Sequence, residues 1–479
     1  MANSRKLHCK GAARRAPALI EQVAAHVVPL LPAHSSILIG LSGGVDSVVL
    51  LHLLHQLAPR YSWRISALHV HHGISPKADA WANFCAELCA KFHIPLHVEH
   101  VDITPLRAHG IEAAARKLRH AAFAGQPCDL VALAHHADDQ AETLLLQLLR
   151  GAGVRGASAM PVLSLSKRPV LSLPRSPLLV EKTGLPAVLR PLLHSSRREI
   201  LDYASTHGLQ WVEDESNADD SYPRNFLRHR LLPLLEQKFP AYRDTLARSA
   251  LHFAEASELL DDLARLDAQD SNLHSSGGAK KFHEVTLEVS SLQSLSLPRA
   301  KNLLRYFLHS CGASMPQAVQ LDNMLLQLCN AREDAAVCIT CGDWHVRRYQ
   351  GKVYVLRAQG EFDRSLILPW HGEPMLDWPA LNARLHFSSS QGCGISLAKL
   401  QRAPVTLRSR SGGESLRPHP NAAQRTLKNL LQEHGIPPWQ RDRLPLLYCG
   451  NELVCVSGVA VAAQYQASAA EAGIQLLLE

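Results

Sequence analysis

Six residues, Ser42-Gly43-Gly44-Val45-Asp46-Ser47, stand between an apolar run, Ser36–Leu41, and a helix-like run, Val48–Leu57. Glycines let a backbone approach a phosphate closely, and the first N–H groups of a helix are free to donate at the positive end of its dipole. Ser42 and Ser47 add hydroxyl donors, so the chemistry this stretch suits is the cradling of a polyphosphate. No Gly-Lys-Ser/Thr closes the loop, and its glycines do not follow G-x-G-x-x-G, which sets aside the Walker-A and dinucleotide patterns. Asp46 sits in the first helical turn, where the dipole favours an acid. Asp139 and Glu142, within His135-His136-Ala137-Asp138-Asp139-Gln140-Ala141-Glu142-Thr143, are three apart on one helical face. Two carboxylates there make a site for a cation, either Mg²⁺ or an ammonium group. They also raise one another's pKa, which suits taking a proton from an amine. Asp138 or Asp139 has a plainer reading as a cap of that helix.

His69-Val70-His71-His72-Gly73 closes another strand-like run. Alternation sends His69 and His71 to one face and Val70 and His72 to the other, which argues against a shared metal. The readings left are positioning in a nucleotide pocket and structural hydrogen bonding. Further on, Arg224, Arg228 and Arg230 precede an apolar helix and are candidates for phosphate contact, with Arg224 and Asn225 favoured as functional.

The elements that must position these groups alternate regularly. Strand-like runs at Ser36–Leu41, Ile65–Val70, Leu96–Val101 and Asp129–Ala134 take turns with helix-like stretches at Val48–Leu57, Ala78–Phe92, Glu112–Phe123 and Ala137–Leu149. Strict alternation implies βαβ units and a parallel sheet, whose ligands lie beyond the carboxyl ends of the strands. All three polar clusters come just after strand ends, so they are expected to converge on one edge. Regular pattern resumes with Ala187–Leu193 and a helix near Arg197–His207, after a Ser/Pro/Leu/Lys-rich insertion at 164–184. Helical text runs from Asn225 to about Leu266, a polar linker covers 269–279, and strands and helices continue to about Arg357. A Pro-bearing stretch, 366–379, precedes a last segment of short strands with one helix.

At 479 residues the chain is expected to hold about three domains. A net charge of +7 fits a polyanion partner without demanding one. The 11 cysteines are scattered, and neither Cys85/Cys89 nor Cys338/Cys341 has a second pair at zinc-site spacing, so Cys338-Ile-Thr-Cys341 is expected to be strand with buried thiols. The pattern suits a reduced, cytoplasmic protein, and no run is long and apolar enough to span a membrane. The basic N-terminus (Arg5, Lys6, Lys10, Arg14, Arg15) reads as a frayed extension, with an organellar transit peptide as the weaker reading.

The loop Ser42–Ser47 matches the SGG-x-DS signature of the N-type ATP pyrophosphatases, the PP-loop enzymes with an adenine nucleotide alpha hydrolase-like fold. With His135–Thr143 downstream of it, the chain resembles the tRNA(Ile)-lysidine synthetases. His69 and His72 match an H-x-x-H-G strand end. Glu112 with Arg116 and Arg119, Arg150–Gly153, Arg190–Leu193, Asp214–Asn217 and Arg224–Arg228 resemble further segments of that family. Arg410–Glu414 and Gly435–Pro445 resemble the C-terminal domain of its longer members. There, Trp439 among basic residues such as Arg410, Arg441 and Arg443 resembles a stacking surface for RNA. His120 in place of a frequent Tyr, Ala157 in place of Leu and the insertion at 167–184 depart from the pattern without touching the loop or the acid pair.

The resemblance implies an N-terminal PP-loop domain at 34–224 after an extension at 1–33, a mainly helical tRNA-binding domain at 225–360 and a small α+β tRNA-binding domain at 370–479. It implies ATP and Mg²⁺ as cofactors. Ser42, Gly43, Gly44, Val45, Asp46, Ser47, His69, His72 and His135 would hold the nucleotide, and Asp46 and Asp138 the metal. Asp46, Asp138, Asp139, Glu142 and Arg224 would be catalytic, with Asp139 and Glu142 holding lysine. The implied partners are free L-lysine and an isoleucine tRNA with a CAU anticodon, with no membrane and no protein partner required. The implied reaction joins the lysine side-chain amine to carbon 2 of the wobble cytidine through an adenylated base, which changes the codon read from AUG to AUA. The rival within the superfamily, a tRNA 2-thiocytidine synthetase, needs paired cysteines, where this region offers Cys85, Cys89 and Cys128. A ligase with a glutaminase domain lacks its nucleophile segment here. A non-catalytic tRNA-binding protein is disfavoured by the intact acids.

Overall fold

The computed structural model describes residues 18–104, 111–165, 186–215, 219–269 and 286–478, apart from 333, 334, 336, 359, 361, 381 and 382. The basic N-terminus, the insertion at 167–184, Ser216, Asn217, the linker at 270–279 and the side chain of Glu112 lie outside what is described. The described residues belong to two compact units, one running to Leu260 and the other starting at Asp261.

In the first unit, helix α1 (Leu19–Val27) leads into the expected alternation: β1 (Ser36–Gly40), α2 (Val45–Tyr61), β2 (Arg64–His71), α3 (Ala78–Lys91), β3 (Leu96–His100), α4 (Ile111–Ala124), β4 (Leu130–Ala132) and α5 (Ala137–Leu149). Then come a short α6 (Val154–Ala157), β5 (Leu163–Ser164), β6 (Ala187–Leu189) and α7 (Arg197–Thr206). The sheet order is β3-β2-β1-β4-β6-β5; its pairings are parallel except between β5 and β6. β1 is central, with Ile39 in register with Ala67 on one side and Ala132 on the other. Ile37 and Ile39 face a core built with Leu50, Leu53, Leu54 and Leu57 of α2, Cys85 of α3 and Ile200 of α7. Leu38 and Leu68 pack on Phe123 of α4 on the opposite face. A strand covered on both faces must be apolar throughout, which is why β1 reads as an unbroken run.

The first unit continues past residue 224 through α8 (Pro223–Phe226), a wider π turn (Leu227–Leu231), α9 (Leu232–Lys238) and most of α10 (Tyr242–Gln269). Packing explains this: Leu232 and Tyr242 bury against Ala141 of α5, and Ala250 against Leu144.

In the second unit, α11 (Val289–Ser294), α12 (Leu297–Ser310) and α13 (Ala318–Asn330) share a core with a four-stranded antiparallel sheet, β7 (Leu287–Glu288), β10 (Lys352–Arg357), β9 (Trp344–Tyr349) and β8 (Cys338–Cys341), in that order. The region expected to be mainly helical thus adds a small sheet. Cys338–Cys341 is a strand as expected, but only Cys341 is buried; Cys338 lies on the outward face and is exposed. The C-terminal part holds a five-stranded antiparallel sheet (Ile367–Trp370, Val405–Arg408, Leu446–Cys449, Glu452–Val456, Ala460–Val461) and a four-stranded one (Met375–Trp378, Ala383–Gln391, Ala472–Leu478, Ile395–Ser396) around one core.

Candidate active site

The loop between β1 and α2 closes on the hydroxyl of Ser47. That oxygen accepts from the backbone N–H groups of Ser42 and Gly43, each at 3.2 Å, and donates to the Gly44 carbonyl at 2.9 Å. The turn depends on Gly43. Its φ is +88°, and a Cβ there would lie 2.8 Å from Val212 Cγ2 and 3.3 Å from Cys85 Sγ. Val212 also donates its N–H to the Gly43 carbonyl at 3.0 Å, so the segment after α7 braces the loop from behind. His69 supports it from β2: it is buried and its Nδ1 lies 2.9 Å from the Leu41 carbonyl. Burial holds the His69 pKa below its ordinary value, so it acts as a neutral strut. Gly43→Ala is expected to combine a left-handed backbone penalty of about 1–2 kcal/mol with a clash against Val212. ATP affinity should fall at least tenfold while the global melting temperature moves by only a few degrees, checked by nucleotide titration beside thermal unfolding.

Across the sheet edge, α5 begins at His136, whose backbone N–H is capped by Asp139 Oδ2 at 3.1 Å. The His136 ring is 1% exposed and lies among three carboxylates. Its Nε2 is 3.8 Å from Asp46 Oδ1 and 3.5 Å from Asp139 Oδ2, and its Nδ1 is 3.6 Å from Asp138 Oδ2. Burial alone would lower its pKa, but Asp138, Asp139 and Asp46 outweigh burial and raise it. Asp46 carries the opposite balance: burial lifts its pKa above the ordinary value against the pull of His136 and Arg197. Arg197 Nη1 stands 3.8 Å from Asp46 Oδ2. Asp46 Oδ1 is buried and has no hydrogen-bond donor among the described residues.

Asp138, expected beside Asp46 at a metal, has both oxygens engaged. Oδ1 accepts from Arg243 Nε of α10, and Oδ2 accepts from the Arg197 backbone N–H at 3.0 Å. Burial opposes the charge of Asp138, but His136, Arg243 and the Arg197 N–H prevail and hold its carboxyl well below the usual carboxylate range. Among the described residues no group of three His, Cys, Asp or Glu side chains is arranged to hold a metal.

Asp139 and Glu142 do share one face, and a cation bridges them. Arg228 donates from Nε to Glu142 Oε1 at 2.7 Å, and from Nη2 to Glu142 Oε2 at 3.0 Å and to Asp139 Oδ1 at 3.1 Å. Arg224 Nε lies 3.1 Å from Glu142 Oε2, and its Nη2 donates to Thr143 Oγ1 at 2.8 Å. Glu142 is fully buried. Burial pushes its carboxyl above the ordinary value, with Arg228 pulling the other way. For Asp139 burial is outweighed by His136, His135 and Arg224, and its pKa is lowered. The pair that spacing alone marked for a cation is therefore a carboxylate clamp on a guanidinium.

His72 and His135 complete the edge. Each has a buried Nδ1 without a hydrogen-bond partner among the described residues, and burial takes each down to a pKa of about 4. His71 pairs with Asp79 of α3 at 3.0 Å, whereas His72 faces the charge of Arg119 on α4, as alternation requires. His52, half-buried beside Tyr203 and His207, is also lowered to about 4 by the burial of its ring. Folding therefore favours the neutral form of these three rings. Their contribution is fully present above the unfolded-state pKa of about 6.5 and is lost as pH falls toward about 4. The melting temperature is expected to drop between pH 7 and pH 5, and His52→Asn should flatten that slope in part.

Sequence reasoning found the loop, the acid pair, Arg224 and the histidines. It left unassigned His136, Arg197, Val212 and Arg243. The doubled histidine at the start of α5 was the available signal for His136; Arg243 lies 105 residues from its partner and had none. In the second unit, Trp439 was expected as a stacking surface for RNA. Its ring instead packs edge-on against Tyr349 and Tyr354, with the Arg347 guanidinium 5.2 Å from its centroid. Arg441 Nη2 donates to Tyr349 Oη at 2.8 Å, so Trp439 and Arg441 tie the C-terminal part to the β9–β10 sheet.

A PP-loop domain model matches residues 15–235, a TilS substrate binding domain matches 287–354, and a TilS substrate C-terminal domain matches 405–478. The chain is 41% identical to a tRNA(Ile)-lysidine synthase of Nitrosomonas europaea, covering 91% of this chain and 90% of that protein. It is 41% identical to that of Azoarcus sp., over 91% of this chain and 89% of that protein, and 39% identical to that of Aromatoleum aromaticum, over 95% and 99%. With identity of this order running along nearly the whole chain, and a phosphate loop facing a buried acid cluster, the protein belongs to the tRNA(Ile)-lysidine synthase family of ATP-using ligases.

Proposed function

We propose that the protein joins the side-chain amine of free L-lysine to carbon 2 of the wobble cytidine in an isoleucine tRNA with a CAU anticodon. The observation that carries this reading is the opposition, in one site, of a phosphate-cradling loop and a buried carboxylate pair built around a cation. In the first step ATP lies on Ser42–Ser47, the cytosine carbonyl oxygen attacks the α-phosphorus and pyrophosphate leaves. The N–H groups at the start of α2 would meet the charge that grows on the phosphates. In the second step the lysine ammonium passes a proton to a nearby carboxylate or water, the freed amine attacks carbon 2 of the adenylated base and AMP leaves.

Asp46 Oδ1, a buried acceptor without a donor among the described residues, fits a cation brought in with the nucleotide. Mg²⁺ commonly takes only one or two protein carboxylates with phosphate oxygens. When bound it would offset phosphate charge, with Asp46 as its protein ligand; Asp138, already held by Arg243 and Arg197, does not fit that part. Asp139 and Glu142, whose oxygens are held by Arg228, Arg224 and the His136 N–H, would receive the lysine ammonium by exchange with part of the Arg228 clamp, while Arg224 would keep Glu142 in place from the other side. His69 holds the loop, while His72 and His135, kept neutral by burial, would face the base and nucleotide. The wobble base already sits in a single-stranded loop, so turning it into the pocket costs about a few kcal/mol or less.

A thiolation reaction is disfavoured by the cysteines present. Cys85 and Cys89 are buried behind the loop with thiols pushed up to about 12 and about 11, far from thiolates. No helix among the described residues is long and apolar enough to cross a membrane.

The test is incubation with ATP, Mg²⁺, labelled lysine and an isoleucine tRNA transcript bearing CAU, beside one with uridine at the wobble position. Label in the first RNA only is expected. Pyrophosphate release without label would mean that another nucleophile takes the second step.

A further inference from the structure

We infer that Asp138 and Arg243 are positioning residues for the adenylation step, acting together through His136 and Arg197 on the loop carboxylate Asp46. This rests on the function proposed above; it gives Asp138 a different part from metal binding and adds Arg243, which lies outside the signatures of the loop and the acid pair.

Asp138 is the residue at which three elements meet within the first unit. It lies in the first turn of α5, accepts the backbone N–H of the first residue of α7, and accepts the side chain of Arg243 from the first turn of α10. Neither of its oxygens is left to face a ligand. What Asp138 fixes, however, is the surroundings of Asp46. Through its Oδ2 it stands 3.6 Å from His136 Nδ1, and so fixes the ring whose opposite nitrogen lies between Asp139 Oδ2, 3.5 Å away, and Asp46 Oδ1, 3.8 Å away. Through the Arg197 N–H it pins the backbone of the residue whose guanidinium stands 3.8 Å from Asp46 Oδ2. Both cations that flank Asp46 are thus oriented by one carboxylate.

Arg243 holds that carboxylate in turn. Its other guanidinium nitrogens are spent on Glu236 of α9, at 2.8 and 3.4 Å, and its Cζ lies 4.6 Å from the centre of the Tyr242 ring. A guanidinium bonded to two carboxylates and set over an aromatic ring has one geometry, which a lysine ammonium does not reproduce. The series Glu236, Arg243, Asp138, His136 or Arg197, Asp46 is a continuous set of charged contacts from α9 and α10 to the loop. His136 also touches Asp139, at 3.5 Å, but Asp139 keeps the Arg228 clamp and the His136 backbone N–H, and Glu142 is held by Arg228 and Arg224. A fault in the Arg243 series should therefore fall mainly on the nucleotide and much less on lysine.

The experiment compares Arg243→Ala, Arg243→Lys, Asp138→Asn and the Arg243→Ala/Asp138→Asn double variant of the full-length protein. Steady-state assays vary ATP and lysine separately, with thermal unfolding alongside. Arg243→Ala and Asp138→Asn are each expected to lower kcat/KM for ATP by tenfold or more. KM for lysine should stay within twofold, Arg243→Lys should recover only part of the loss, and the double variant should be no worse than the poorer single one. A rise in KM for lysine with ATP kinetics unchanged would overturn the inference. So would multiplicative losses in the double variant, or a loss that follows melting temperature and is fully restored by Arg243→Lys. An unmodified protein that releases no pyrophosphate with the CAU transcript would overturn the underlying function, and the inference with it. An active unmodified protein with unaffected variants would sink the inference alone.

Discussion

Asp46→Asn is expected to abolish adenylation while leaving the fold as stable as before, or more stable. Asp46 Oδ1 is a buried acceptor without a donor among the described residues, and its two cationic neighbours stand at 3.8 Å, beyond hydrogen-bond length. Burial raises its pKa, which means that the folded protein holds the ionised carboxylate less favourably than water does. Such a group is a cost to the ligand-free fold and, on the proposed function, would gain its compensation from a cation arriving with the nucleotide. Replacing it with the neutral isostere removes that cost and the binding function together, a trade expected at functional sites. Pyrophosphate release with tRNA should fall by about 10²–10³-fold or more, the range seen for removal of one preorganised electrostatic group. The melting temperature should hold or rise. A variant that loses activity only because it unfolds would show the reverse.

Glu142→Gln should do the opposite on both counts. Glu142 is fully buried and takes two hydrogen bonds from Arg228, with Arg224 Nε at 3.1 Å. Breaking a buried ion pair by removing one partner costs about 3–5 kcal/mol, because the charge left behind has no compensation. Glutamine keeps the shape and one acceptor, and both arginines are partly exposed, so the loss should fall at the low end of that range. Adenylation, which depends on the loop, should persist. Lysine transfer should fall by at least 10²-fold, because the amine loses half of its carboxylate pair. Single-turnover assays at low temperature, with each step monitored separately, check this. Equal loss of both steps would show that the loop and the acid pair do not divide the work.

The sheet was legible because its strands carry a simple physical signature. Ile37, Leu38 and Ile39 are buried on both faces, so β1 reads as an unbroken apolar run, and the same holds for Leu130 to Ala132 of β4. The three polar clusters were legible because a parallel sheet must place its strand ends, together with the loops that leave them, along one edge. What spacing could not supply was partnership. Asp139 and Glu142 were correctly put on one face, yet the guanidinium between them comes from Arg228, 86 residues beyond Glu142. Asp138 reads as one more acid in the cluster, and only its contacts with Arg243 and Arg197 show that its oxygens turn toward α10 and α7. Val212 is an ordinary residue in an extended segment until it is found bracing Gly43. Trp439, surrounded by basic residues in sequence, is packed against Tyr349 and Tyr354, because a tryptophan near arginines satisfies a domain joint as readily as an RNA base.

The central claim is that one site performs two chemically separate steps, with the loop serving the first and the Asp139–Glu142 pair the second. The measurement that tests it most directly is to supply α-labelled ATP, lysine and the CAU transcript to the unmodified protein and to Glu142→Gln, quench in acid, and track label on the RNA. Only a brief trace of adenylated RNA is expected with the unmodified protein, and adenylated RNA should persist with Glu142→Gln even in excess lysine. Label absent from the RNA in both, with lysine still incorporated by the unmodified protein, would contradict the claim.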